Sequence, residues 1–136
     1  MSVDENKNLL LKAFRAIEQR NDREFSELLH PDFKIHWPSA LPYGIGKGRT
    51  WSDTWNPLQP TDAERSMDPR VVAANEDEVV VLWRQRGISF SGQRFETEVL
   101  GLYRVRDGKL ARAQMFYFDT VAVASFLNKA MTQSEK

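Results

Sequence analysis

The chain predicts an α+β fold, a cone-shaped and strongly curved sheet, mostly antiparallel, wrapped around N-terminal helices. Three observations predict it. Leu10, Ala13, Phe14 and Ile17 recur at i, i+3, i+4 and i+7, the spacing of a helix that buries one face. The stretch from Phe95 to Asp119 contains two aliphatic and aromatic runs joined at Asp107-Gly108, a pair suited to the positive φ of a tight hairpin turn. Val123, Phe126, Leu127 and Ala130 then form a last amphipathic helix. Helices gathered on one face of an antiparallel sheet make an α+β domain, and a bent sheet over them leaves a cone.

Taken in order, residues 4–20 read as the first helix, and Asn21-Asp22-Arg23-Glu24 reads as a restart with Asn21 as N-cap. The second helix carries Phe25, Leu28 and Leu29 and is expected to stop at His30-Pro31. Phe33 to Trp37 alternates as a short strand closed by Pro38. Residues 39–48 form a loop whose apolar side chains and glycines fit either a lid over a pocket or a plain connector. A short helix over residues 49–56 places Trp51 and Trp55 one turn apart, and Pro57 ends it. The proline-containing residues 57–69 read as an irregular crossing. Strands follow over residues 70–75 and 79–86, then the long hairpin with Val105 facing Leu110, the final helix, and a disordered polar tail from Thr132.

A chain of 136 residues fits one domain spanning its whole length and can bury a core unaided. With no cysteine, thiol catalysis, zinc-thiolate sites and disulfides are excluded. Nineteen basic residues balance nineteen acidic ones, which gives no reason to expect nucleic acid or an anionic membrane as partner. The polar start MSVDENKN and the absence of a long apolar run predict neither a leader nor a membrane span, so a cytoplasmic location is expected. The two histidines are not spaced to hold a metal, and Gly44 to Gly48 lacks the ending of a phosphate-binding loop. No cofactor is expected.

Several segments resemble the nuclear transport factor 2-like superfamily, in its SnoaL-like and ketosteroid-isomerase-related branch, over nearly the whole chain. They are the paired N-terminal helices with Asn21-Asp22, the run Leu29-His30-Pro31-Asp32-Phe33, the loop Leu41-Pro42-Tyr43-Gly44, and the hairpin from Tyr103 to Leu110 leading to Tyr117-Phe118-Asp119. The resemblance implies a cystatin-like α+β roll around a small-molecule pocket. It also implies a homodimer through the convex sheet face bearing Leu100 and Leu102. Ketosteroid isomerases place a Tyr, an Asp base and a protonated Asp where this chain has Phe14, Trp37 and Gly101, so isomerisation by that route is not expected. Epoxide-hydrolase-like relatives use an Asp–Arg–Asp set, of which only Asp119 is matched; the other two fall near Glu78 and Val80.

Asp119 is therefore the acid/base candidate, with His36 and Tyr103 assisting; burial at the wide end of the pocket would raise its pKa. Its alternative role is N-cap of the final helix. His36 could shuttle a proton or simply bond to backbone, and Tyr103 is an inward phenol if Gly101 faces the pocket. The expected pocket wall comprises Phe14, Trp37, Tyr43, Trp51, Trp55, Trp83, Val99, Gly101 and Phe116, suited to an apolar or aromatic ligand. Two functions remain open. One is an isomerase, cyclase or hydratase working by metal-free proton transfer on an apolar, ring-containing ligand; the other is a noncatalytic ligand-binding or protein-interaction module.

Overall fold

The computed structural model describes residues 2–44 and 46–134, with side chains through Ala130. Helix α1 (Val3–Glu18) starts where the Ser2 hydroxyl accepts from the Glu5 amide at 3.1 Å, and it buries Leu9, Leu10, Ala13 and Phe14. Asn21 caps α2 (Asp22–Glu27): its Oδ1 accepts from the Glu24 amide at 3.1 Å, and its Nδ2 donates to the Glu24 carboxylate at 3.1 Å. The second helix stops before His30-Pro31, because strand β1 (Leu29–His36) already begins at Leu29. Pro31 is accommodated where the register of β1 is broken between Leu29 and Lys34, so its missing N–H costs no ladder bond.

A loop leads to the short helix α3 (Trp51–Trp55), capped by the Thr50 hydroxyl, which accepts from the Asp53 amide at 2.9 Å. The segment expected to be irregular contains a 3-10 turn (Asn56–Leu58) and a further short helix, α4 (Asp62–Arg65). The Thr61 amide and hydroxyl both donate to the Glu64 carboxylate, at 3.0 and 2.7 Å. That Thr-x-x-Glu spacing is a capping signature that the neighbouring prolines obscure.

Strands β2 (Arg70–Ala74), β3 (Glu78–Ile88), β4 (Arg94–Arg106) and β5 (Lys109–Tyr117) complete a curved, unclosed five-stranded sheet in the order β1-β5-β4-β3-β2. Only β1 and β5 run parallel; the other neighbours are antiparallel. Val105 faces Leu110 as expected, and the turn between them carries φ values of 54° at Asp107 and 74° at Gly108. Helix α5 (Thr120–Ser134) continues through the residues expected to be a tail from Thr132; residues 135–136 lie outside those described. No helix among the described residues is long and apolar enough to cross a membrane.

Alternation along β3 turns Val79, Val81, Trp83, Gln85 and Gly87 inward, and β4 does the same with Thr97, Val99, Gly101, Tyr103 and Val105. At one end this interior is solid. Trp55 stacks on Phe126 (centroids 6.0 Å, 15°) and Phe95 (6.4 Å, 28°), and a Cβ on Gly87 would meet its ring at 2.8 Å. At Gly101 the ring of Tyr103, from the same strand, folds back so closely that a Cβ would lie 2.5 Å from the phenol oxygen. Both glycines are therefore spaces filled by an aromatic neighbour.

The loop after β1 is held by Leu41 and Tyr43, both buried, and by a 2.6 Å hydrogen bond between the hydroxyls of Tyr43 and Tyr117. An anchored wall segment describes it better than a free lid; Ile45 lies outside the described residues. Burial pushes the Tyr43 phenol up to about 12, against a smaller opposing effect of the bond to Tyr117. Burial likewise raises Tyr117 well above the ordinary phenol value.

Two outcomes are expected. Gly101→Ala should destabilise the protein by about 1–3 kcal/mol through overpacking, measured by urea unfolding, and the cost should shrink in a Tyr103→Leu background. A phenol whose folded pKa is raised contributes stability that is whole below the unfolded value of about 10 and is lost as pH climbs higher. Unfolding midpoints should therefore fall from about pH 10 through the folded Tyr43 value of about 12, and Tyr43→Phe should flatten that decline.

Candidate functional site

Between α1, the loop and the inner face of the sheet lies a cavity of about 420 Å³, within the range of about 300–1,000 Å³ usual for small-molecule sites. Leu10, Ala13, Phe14 and Ile17 line it from α1, following the helical spacing that marks the buried face. Phe33, Ile35 and Trp37 enter from β1 and its exit, at every second position, and Trp83, Tyr103, Ala113 and Met115 come from β3 to β5.

The aromatic wall is a continuous network. Trp37 stacks with Trp51 (6.5 Å, 8°) and meets Tyr43 edge-on (5.0 Å, 90°). Trp51 meets Trp83 at 6.4 Å, and Trp83 and Tyr103 each pack against Phe14 at 6.0 Å. The Trp51 indole N–H donates to the fully buried Gln85 Oε1 at 2.6 Å, which fixes that ring's tilt. Sequence reading overlooked Gln85, although a polar residue on an otherwise apolar inward face of β3 was a usable signal.

Two donors in this wall make no hydrogen bond of good geometry to oxygen or nitrogen, although the Trp83 side chain lies close enough to Tyr103 to affect its phenol. The Trp83 Nε1 is buried without a hydrogen-bond partner. The Tyr103 hydroxyl reaches only the Met115 sulfur, at 3.7 Å, a weak acceptor. Burial drives the Tyr103 pKa strongly upward, with the nearby Trp83 N–H opposing it weakly, so the phenol stays protonated and able to donate.

Of the residues expected at the site, Phe14, Trp37, Tyr43, Trp51, Trp83 and Tyr103 line this cavity. The structure corrects the placement of the others. Trp55 is consumed in its stack with Phe95 and Phe126, and Val99 is packed in the core. Gly101 faces inward but is covered by Tyr103. Phe116 points out of the sheet and is 48% exposed, because β5 alternates and Met115 and Tyr117 take the inner face. His36 alternates with Ile35 and Trp37, which line the cavity, and is not itself in the lining. Asp119 is exposed, outside the cavity, and its Oδ1 accepts from the Ala122 amide at 3.0 Å as the cap of α5.

The polar part of the lining is one the sequence did not reveal. Arg20, Asp22, Arg49 and Arg65 border the cavity beside Thr50, Ser52, Asn56 and Gln59. Asp22 is the single carboxylate of that lining among the described residues. No group of three His, Cys, Asp or Glu side chains among the described residues is arranged to hold a metal ion.

Residues 10–113 match the family model of the SnoaL-like domain. No curated protein gives a significant match. Among solved structures, TerC co-crystallized with polyporic acid superposes with a TM-score of 0.73 at 20% identity, covering 91% of this chain and 98% of that one. An NTF2-like protein of unknown function from Burkholderia pseudomallei gives 0.71 at 16% identity, covering 90% and 97%. A protein of unknown function with a cystatin-like fold from Xanthomonas campestris gives 0.70 at 18%, covering 93% and 98%. The chain therefore has the fold of NTF2-like structures, and the family model shows that it belongs to the SnoaL-like domain family.

Proposed function

We propose that the protein binds an apolar, ring-containing small molecule that carries at least one acceptor oxygen. The observation that carries this reading is an aromatic cavity of about 420 Å³ whose lining includes Trp83 and Tyr103, two side chains with donors that lack a strong acceptor. A buried donor left unpaired costs free energy that a ligand carbonyl would recover. Stacked and edge-on aromatic rings favour a flat ligand body. The structural relative that was crystallised with polyporic acid supports the same class of occupant.

Acid–base catalysis by Asp119 and His36 is not part of this reading, since neither reaches the cavity. Tyr103 keeps a role as hydrogen-bond donor to the ligand. A catalytic second reading has one observation in its favour: Asp22 places a carboxylate at the cavity's polar edge, where it could take a proton from a bound ligand.

The same proposal includes pairing of two copies through the convex sheet face. There Leu82, Leu100 and Phe116 lie side by side across three strands, and Leu100 and Phe116 are 38% and 48% exposed.

Binding is tested with 2-acetylnaphthalene, a flat aromatic ketone, followed through quenching of tryptophan fluorescence. Saturable binding is expected. Tyr103→Phe should weaken it by about three- to tenfold, while Asp119→Asn should leave it unchanged; an unaltered affinity in Tyr103→Phe removes the donor assignment. For the pairing surface, sedimentation should show a dimer that Phe116→Lys with Leu100→Lys converts to monomer.

A further inference from the structure

Arg20 and Arg65 line the cavity and spend their hydrogen bonds on backbone carbonyls. Arg84, Arg86, Arg94, Arg104 and Arg106 each have a carboxylate within 4.0 Å. Neither Arg20 nor Arg65 is in an ion pair among the described residues, and both line the cavity.

Their partners are backbone carbonyls, and they share one. Arg20 Nη2 donates to Asn56 O at 3.2 Å and to Gln59 O at 3.1 Å, and Arg65 Nε donates to the same Gln59 O at 3.0 Å. Arg65 Nη2 is also 3.5 Å from Pro60 O. The Arg20 Nε is buried and has no partner. Two cations thus converge on a single neutral oxygen, an arrangement that Coulomb repulsion disfavours. Burial, and then the charge of Arg65, hold the Arg20 pKa below its ordinary value. Asp22 and Arg49 also line the cavity.

The backbone adds an independent observation. Arg20 has φ 55°, just past the C-cap Gln19 of α1, with its amide bonded to Ile17 O at 3.0 Å and the Asn21 amide bonded to Ala16 O at 2.8 Å. Glycine is the usual residue in this left-handed helix-ending position because an L side chain is strained there. A long cationic side chain held in that position, with its head group at a cavity, is the kind of strain that functional sites store. Pinning the turn at residues 56–59 does not require the second charge, and it leaves the buried Nε unexplained.

We propose that the cavity takes an amphipathic organic anion, its apolar ring among Phe14, Trp37 and Trp83 and its carboxylate at the polar edge against Arg20 and Arg65. Guanidinium groups recognise carboxylates through paired, charge-assisted hydrogen bonds, and both arginines line the cavity. The ligand carboxylate also relieves the repulsion between the two cations. This deepens the ligand-binding reading above and rests on it.

Titration calorimetry of the 136-residue chain with 2-naphthoate and with its neutral counterpart 2-naphthamide tests the assignment. The carboxylate should bind about ten- to a hundredfold more tightly than the amide, and raised salt should narrow the gap. Arg65→Gln and Arg20→Gln should each reduce that preference, lowering 2-naphthoate affinity more than 2-naphthamide affinity. Should Arg20→Gln fail to fold, Arg65→Gln alone decides the point. Equal affinity of the unaltered protein for the two probes, or a preference that survives loss of Arg65, overturns the anion assignment and leaves the cavity reading standing. Failure of both probes to bind overturns the two readings together.

Discussion

The contact of the Trp55 ring with the backbone of Gly87 governs the interior, because it brings α3 against β3 and leaves the ring packed against Phe95 and Phe126, which themselves stack with centroids 4.7 Å apart. Four elements distant in sequence meet there. Large aromatic side chains bury more apolar area than any others, so this end of the cone is where folding free energy concentrates. The opposite end is left with less to fill it. Trp51, one turn before Trp55 on the same short helix, is carried to the boundary and becomes cavity wall.

A hollow core needs a reason not to collapse, since every lost dispersion contact favours closing it. The reason here is stiffness supplied by polar bonds and ring packing together. Gln85 holds Trp51, the Tyr43–Tyr117 bond holds the loop, and Phe14 props Trp83 and Tyr103 apart from the helix side. Aromatic rings have few rotamers, so they cannot flow into the space as methionine or leucine would. Met67 and Met115 are the adaptable members of the lining.

Much of the container was legible from the residues, because periodicity and turn chemistry act locally. The stripe on α1, the Asp107-Gly108 turn and the inward alternation of β4 all emerged as their patterns require. The boundary of α2 was misplaced because parallel pairing with β5, a contact across more than seventy residues, captured Leu29 for the sheet. The pocket list erred in two ways. Phe116 was assigned inward although strand phase, once Met115 and Tyr117 are inside, forces it out. Trp55 was grouped with Trp51, although α3 has one flank on the cavity and another in the solid stack. Asp119 shows the limit of motif reasoning: capping and catalysis ask for the same residue at a strand-to-helix junction, and only geometry separates them. Arg20 and Arg65 were illegible because their convergence depends on a left-handed residue and a loop that brings Gln59 between them.

The cavity draws its wall from α1 near the start of the chain, from α3 in the middle and from β5 near the end. An occupant that binds only the folded form therefore acts as a cross-link among all three, and adds RT ln(1 + [L]/Kd) to the free energy of unfolding. Cellular quality control degrades proteins according to how often they open. A bound occupant would therefore lengthen the life of this chain by making it open less often, even where no reaction occurs.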